Sequence, residues 1–159
     1  MSGQEMIFTG IRQDFPPMVT SGLDAGFGVD GANEQGMSPL WMASYLHRSE
    51  IMSLLIGRGA DLEFKCQQMT PLMATAQEGH VAAARILIEA GANVNASSDD
   101  GLTPLMIAIR DGHTAIVEHL LTCRVDLEAK TKQGSDAMDV ATQFEQPEII
   151  SMLKRAAGL

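Results

Sequence analysis

Apolar residues recur along this chain as short stripes at helical spacing. Ile51, Met52 and Leu55 return as Ala83, Ala84 and Leu87, then as Ile116, Val117 and Leu120, and again as Ile149, Ile150 and Leu153. A spacing of one and then three residues places each triplet on one face of a helix. Ahead of each stripe another segment opens, with Ser38-Pro39-Leu40, Thr70-Pro71-Leu72 and Thr103-Pro104-Leu105, continued by Asp136-Ala137-Met138. A hydroxyl at that place caps free amides, and proline suits the first helical turn. Small residues follow (Ala43, Thr75 with Ala76, Ala108 and Ala141), which lets neighbouring helices approach closely. The pattern predicts two short helices per unit. Gly59 and Gly91 end the second helix, because a left-handed terminal residue costs glycine little, and a polar extended linker follows.

The units keep strict step. Prolines at 39, 71 and 104, continued by Ala137, recur every 32 or 33 residues. Gly59-Ala60-Asp61-Leu62, Gly91-Ala92-Asn93-Val94 and Arg124-Val125-Asp126-Leu127 follow the three prolines at a constant interval. Self-similarity of this period marks a stacked-repeat architecture. Together these residues resemble the ankyrin repeat, whose signature runs Gly-x-Thr-Pro-Leu-His, then Ala, Gly-His, Leu-Leu and Gly-Ala. The resemblance covers roughly residues 31 to 159, and Asp14 to Asp30 adds a worn first unit through Pro16, Met18, Val19, Leu23 and Gly26. It implies an all-α ankyrin-repeat solenoid of helix-turn-helix units joined by extended loops. The whole of 1–159 then forms one domain, with repeats at about 3–30, 31–63, 64–97, 98–130 and 131–159 and the outer two serving as caps.

Departures from the signature carry expectations of their own. Trp41, Met73, Met106 and Asp139 stand where the family has histidine, so a hydrogen bond between repeats is lost and apolar packing must compensate. Arg124 replaces the terminal glycine of the fourth unit, at about 1 kcal/mol if the left-handed geometry is kept. Lys154 replaces an apolar residue in the last unit, which suits a solvent-facing end. The linkers before Gly36 and Gln68 are one residue short, and irregular loop tips are expected there.

Charge narrows the function. Eleven Lys and Arg stand against twenty Asp and Glu, for a net charge of -9. Nucleic acid and anionic membrane surfaces call for clustered basic residues, and neither is an expected partner. A partner with a basic surface fits better, although acidity also serves solubility. No run of 18 apolar residues is present, and the first ten residues lack a basic start and an apolar core. Two cysteines, Cys66 and Cys123, read as reduced thiols of a cytoplasmic protein, or of a periplasmic or secreted one had a leader been removed.

Nothing in the sequence assembles a catalytic or metal site. His80 and His113 follow Gly79 and Gly112 in the Gly-His motif, where the resemblance implies that each ring caps its second helix. His113 and His119 are six apart, off the spacing that lets one helix face grip a metal. His47 has no partner at a recognisable interval, and Cys66 has only Lys65 beside it to favour a thiolate. Asp99-Asp100-Gly101 lacks the remaining ligands of a calcium loop. No enzyme activity and no cofactor are expected.

The resemblance implies that a partner protein binds a concave face made of loop tips and the outer ends of first helices. On this sequence the tips supply Met37, Met69, Asp99, Asp100 and Leu102. The helix ends supply Tyr45, Leu46, Glu78, Arg110, Asp111 and Phe144. Apolar residues flanked by acids suit the core and rim of a protein interface, while the competing reading is that several pack between adjacent loops. The expected function is a protein–protein interaction module, monomeric when free, that masks or inhibits a single partner. A scaffold or adaptor is the alternative, and a small-ligand enzyme comes behind both.

Overall fold

The computed structural model describes residues 1–159 and contains ten helices with no strand. They are α1 (Gly3–Gln13), α2 (Pro16–Asp24), α3 (Pro39–Tyr45), α4 (Ser49–Gly57), α5 (Pro71–Glu78), α6 (Val81–Glu89), α7 (Pro104–Arg110), α8 (Thr114–Leu121), α9 (Ala137–Gln143) and α10 (Pro147–Ala156). Consecutive helices pair, each odd helix packs on the next odd one, and the even helices do the same. Two parallel rows result, which is the all-α solenoid that the period predicts. No helix is long and apolar enough to cross a membrane.

Local chemistry starts each first helix. Ser38 Oγ accepts from the Trp41 amide at 3.2 Å, and Thr70 and Thr103 do the same for Met73 and Met106 at 3.3 Å. Each such cap contributes about 1 kcal/mol. In α9, Ala137 stands where the other units have proline, and Asp136 and Asp139 form a reciprocal capping box instead. That box gives Asp139 a role at the position where the signature has histidine.

The turn into each second helix repeats one backbone feature. Asp14, His47, Gly79, Gly112 and Glu145 all take positive φ, between 52° and 79°. The residue after each of them begins the second helix, and none caps it with its side chain. The capping role implied for His80 and His113 is therefore incorrect. With φ near -85°, both residues turn their rings toward the preceding repeat.

Gly59 and Gly91, each just past the cap of a second helix, turn the chain away with φ values of 84° and 101°. The following amides, of Ala60 and Ala92, close back onto the Leu55 and Leu87 carbonyls. The fourth unit differs. Arg124 is not left-handed; α8 unwinds through Thr122, and the Val125 amide bonds the Cys123 carbonyl at 2.9 Å. The chain thus changes its turn and avoids the strain expected at Arg124.

Polar linkers then stitch the units together. Asp61, Asn93 and Asp126 each accept from the amide two residues on. Their own amides are held by Asp30, Glu63 and Asn95 of the preceding unit, at 2.7 to 2.9 Å. Tips 33–37, 98–102 and 131–135 share one five-residue closure ending after Gly36, Gly101 and Gly134. Only the tip at 66–69 is irregular. There Cys66 and Met69 exchange two backbone bonds around Gln67 and Gln68, with φ of 49° and 68°. The expected irregularity before Gly36 is absent, since the missing residue shortens the 66–69 tip alone.

The predicted triplets form the core: Ile51, Met52, Leu55, Ala83, Ala84, Leu87, Ile116, Val117 and Leu120 are fully buried, with Ile149 and Leu153 nearly so. Ile150 is only half-buried, and Lys154 is exposed. Met73 and Met106 are sealed inside, as compensation by apolar packing requires. Trp41 does more than pack. Its Nε1–H donates to the Met69 carbonyl at 2.9 Å, which replaces a bond between repeats with another.

Candidate functional site

The loop tips and the ends of the odd helices share surface grooves. One open groove lies between α1 and the 33–35 tip, bordered by Glu5, Phe8, Arg12 and Glu34. A second, of about 270 Å³, brings Leu102, Arg110, Phe144 and Val140 together with the 131–135 tip. Of the residues singled out in the sequence, Leu102, Arg110 and Phe144 line the second groove.

Tyr45 ends α3 with its ring stacked on Trp41, centroids 5.5 Å apart and planes within 10°. Trp41, Cys66 and Ala74 form a small buried cluster apart from the main core, with half-buried Met37 and Met69 over it. The phenol thus rests on a rigid apolar base while 36% of Tyr45 stays in solvent. Leu46 is different. It closes α3 and packs against the main core, so it is not a free surface residue. Met37, Met69 and Leu102 are likewise half-buried against the core.

The charged residues divide by their partners. Arg110 and Asp111 form a two-pronged pair at 2.9 Å, which holds the guanidinium above its already high pKa and leaves little net charge there. Glu78 accepts from the neighbouring Gln77 side chain at 3.1 Å. Asp99 and Asp100 are exposed at their tip, and the Asp100 carbonyl holds the Lys132 amide of the next tip. Phe144 is 44% exposed beside the 131–135 tip.

Cys66 is buried, its Sγ–H directed at the Gln35 carbonyl at 3.8 Å, and burial pushes its thiol pKa up. Lys65 does not activate it, because Nζ turns away to the Ser97 carbonyl at 2.9 Å. Cys66 and Cys123 are both free thiols. No three His, Cys, Asp or Glu side chains converge as a metal site would require.

Sequence reasoning missed one cluster. His47 and His80 stack with centroids 4.5 Å apart, and His113 Nε2–H donates to the Gln77 carbonyl at 2.8 Å. Burial first, and then the nearby His47, hold His80 below the usual imidazole range. In the unit before, Arg48 fills the same place, donating to the Ile11 and Arg12 carbonyls and lying 3.7 Å from Asp14. The available signal was register: His47 aligns with Gly79 and Arg48 with His80.

A family model described as ankyrin repeats (3 copies) matches residues 11–98, more than half of the chain, and one described as ankyrin repeats (many copies) matches 87–141. The chain belongs to the ankyrin-repeat family. Among curated relatives, it is 45% identical over 53 residues to the human ankyrin repeat and KH domain-containing protein 1. It is 39% identical over 59 residues to the Drosophila melanogaster ankyrin repeat and KH domain-containing protein mask. These matches cover 33% and 36% of this chain and 2% of either relative, so the chain spans a small fraction of the proteins it matches. Ankyrin repeats generally mediate binding to other proteins.

Proposed function

We propose that this ankyrin protein binds one protein partner on the side built from loop tips and odd-helix ends, and masks that partner. The observation that carries the reading is the Tyr45 ring, held flat on a buried indole and still 36% exposed. Pre-ordered aromatic side chains are favoured anchors, because little conformational entropy is lost when a partner covers them. Exposed Glu34, Asp99 and Asp100 at the tips, within a net charge of -9, favour a partner with a basic surface. The chain acts by binding rather than by catalysis, as a monomer when free, and the two free thiols suit a reducing, cytoplasmic setting.

An adaptor role has its own support. Tyr45 and Phe144 are two exposed aromatic residues on that side, separated by three repeats, which is room for two partners. Affinity capture from the native cell with wild type, Tyr45→Ala and Phe144→Ala separates the readings. A single protein lost with Tyr45→Ala supports masking at this face. Two proteins, each lost with a different variant, support the adaptor. Capture unaffected by either variant contradicts both.

A further inference from the structure

Three imidazoles occupy two successive seams between repeats, and two of them touch. His47 and His80 lie face to face, 4.5 Å between centroids and 19° between planes. His47 keeps a left-handed φ of 57°, in register with Gly79 and Gly112, where the two following units use glycine. The Tyr45 carbonyl faces the His80 ring, and the Gln77 carbonyl accepts from His113 Nε2–H at 2.8 Å. Tyr45 and Gln77 lie in the last turns of α3 and α5, on the side assigned to the partner.

We propose that the His47–His80 stack, continued by the His113 bond, is an acid-sensitive latch joining the second, third and fourth repeats. Neutral rings close it, and a proton on the stack loosens it.

The carbonyl contacts do not resist protonation, because an imidazolium donates to a carbonyl as well as neutral imidazole does. Resistance comes from the partial burial of His80 and from its parallel neighbour, since two cationic rings at this separation repel. Other charges around the stack are mostly spent. Asp14, from the turn before α2, is engaged by Arg48, and the Arg110–Asp111 pair on the α7 side is internally neutral. Glu78 favours a proton on His80 and His113 opposes it, but burial and His47 are the leading influences and hold its pKa down. The linkage follows from that direction. A histidine whose folded pKa is depressed contributes stability above its unfolded value, about 6.5, and that stability is lost as pH falls through the folded value. Contacts in a repeat stack are confined to neighbours, so a weakened seam lowers the coupling of the units on either side.

The test uses the full chain, with histidine ring signals followed by nuclear magnetic resonance from pH 8 to 4.5. His47→Asn is the main variant, because asparagine tolerates a left-handed backbone. His47→Gly, copying Gly79 and Gly112, is the second. The latch predicts that His80 titrates below about 6.5 and moves up by about half a unit or more when His47 is removed. It also predicts that the urea midpoint falls more steeply between pH 7 and 5 in the wild type than in either variant. A His80 pKa at the ordinary value, or one indifferent to residue 47, overturns the proposal, as do parallel pH profiles of the midpoints. A consequence for binding rests on the partner-face reading above. If His80 titrates as stated while affinity for the captured partner ignores pH, the latch stands and its link to that face falls.

Discussion

Trp41 and Tyr45 are one helical turn apart on α3, and their stacked rings divide one task between them. The indole is 95% withdrawn from solvent and bonds the neighbouring repeat, while the phenol covers it and meets the outside. An exposed anchor is thereby built on a buried one. The turn that follows is spent otherwise: Leu46 drops into the core side of the helix end.

Leu46→Glu therefore acts on stability rather than on a surface. Burying a carboxylate against the core should destabilise by about 1–3 kcal/mol. The urea midpoint of the single variant measures this. An unchanged midpoint shows that the side chain swings out to solvent.

Gly79 and Gly112 share a left-handed backbone but not a neighbourhood. A Cβ at Gly79 lies 2.8 Å from His113 Nδ1 and 2.9 Å from its Cε1, whereas at Gly112 the nearest atom is 3.6 Å away, on the flexible Gln146 side chain. Both alanine variants lose about 1 kcal/mol to backbone strain. Gly79→Ala should lose a further 1 kcal/mol or more by displacing the His113 ring. Adding His113→Ala should remove most of that excess in a double-mutant comparison by urea denaturation.

The 66–69 tip places two glutamines where both central residues have positive φ, a geometry that favours Asn-Gly. Replacing Gln67-Gln68 with Asn-Gly should stabilise by about 0.5–1 kcal/mol. Thermal melting of the double variant should show a higher midpoint, and a lower one contradicts the turn assignment.

Much of the fold was legible because the same local chemistry is written several times. A Ser/Thr-Pro start and an apolar triplet, repeated at 32 or 33 residues, leave few alternatives to paired helices in a row. The departures arose at turns, where either the side-chain direction or the backbone path was left open. His80 and His113 had the right motif, yet their rings reach back to the preceding repeat instead of capping. Arg124 escaped strain because the backbone had a second way to leave α8. Leu46 sits one residue from Tyr45 and faces elsewhere, since residues adjacent in a helix point about 100° apart. The His47–His80 contact joins residues a full repeat apart, and no local pattern announces it.

Charge on the tips should appear in kinetics before it appears in affinity. With Asp99 and Asp100 exposed, changing both to Asn should slow association with a basic partner several-fold at low salt. The difference should shrink as ionic strength rises and screening shortens the reach of the field. Stopped-flow association at two salt concentrations checks this, and salt-independent rates remove the case for a basic partner.

The most direct test is the affinity of Tyr45→Ala for the partner that wild type captures, measured by titration calorimetry beside a thermal melt. Removing the stacked, exposed ring should weaken binding at least tenfold, about 1.4 kcal/mol. Loss of the aromatic pair should cost only about 1 kcal/mol of stability, a shift of roughly 2–4 °C at this chain length. Affinity equal to wild type, with the fold intact, contradicts a partner face centred on Tyr45.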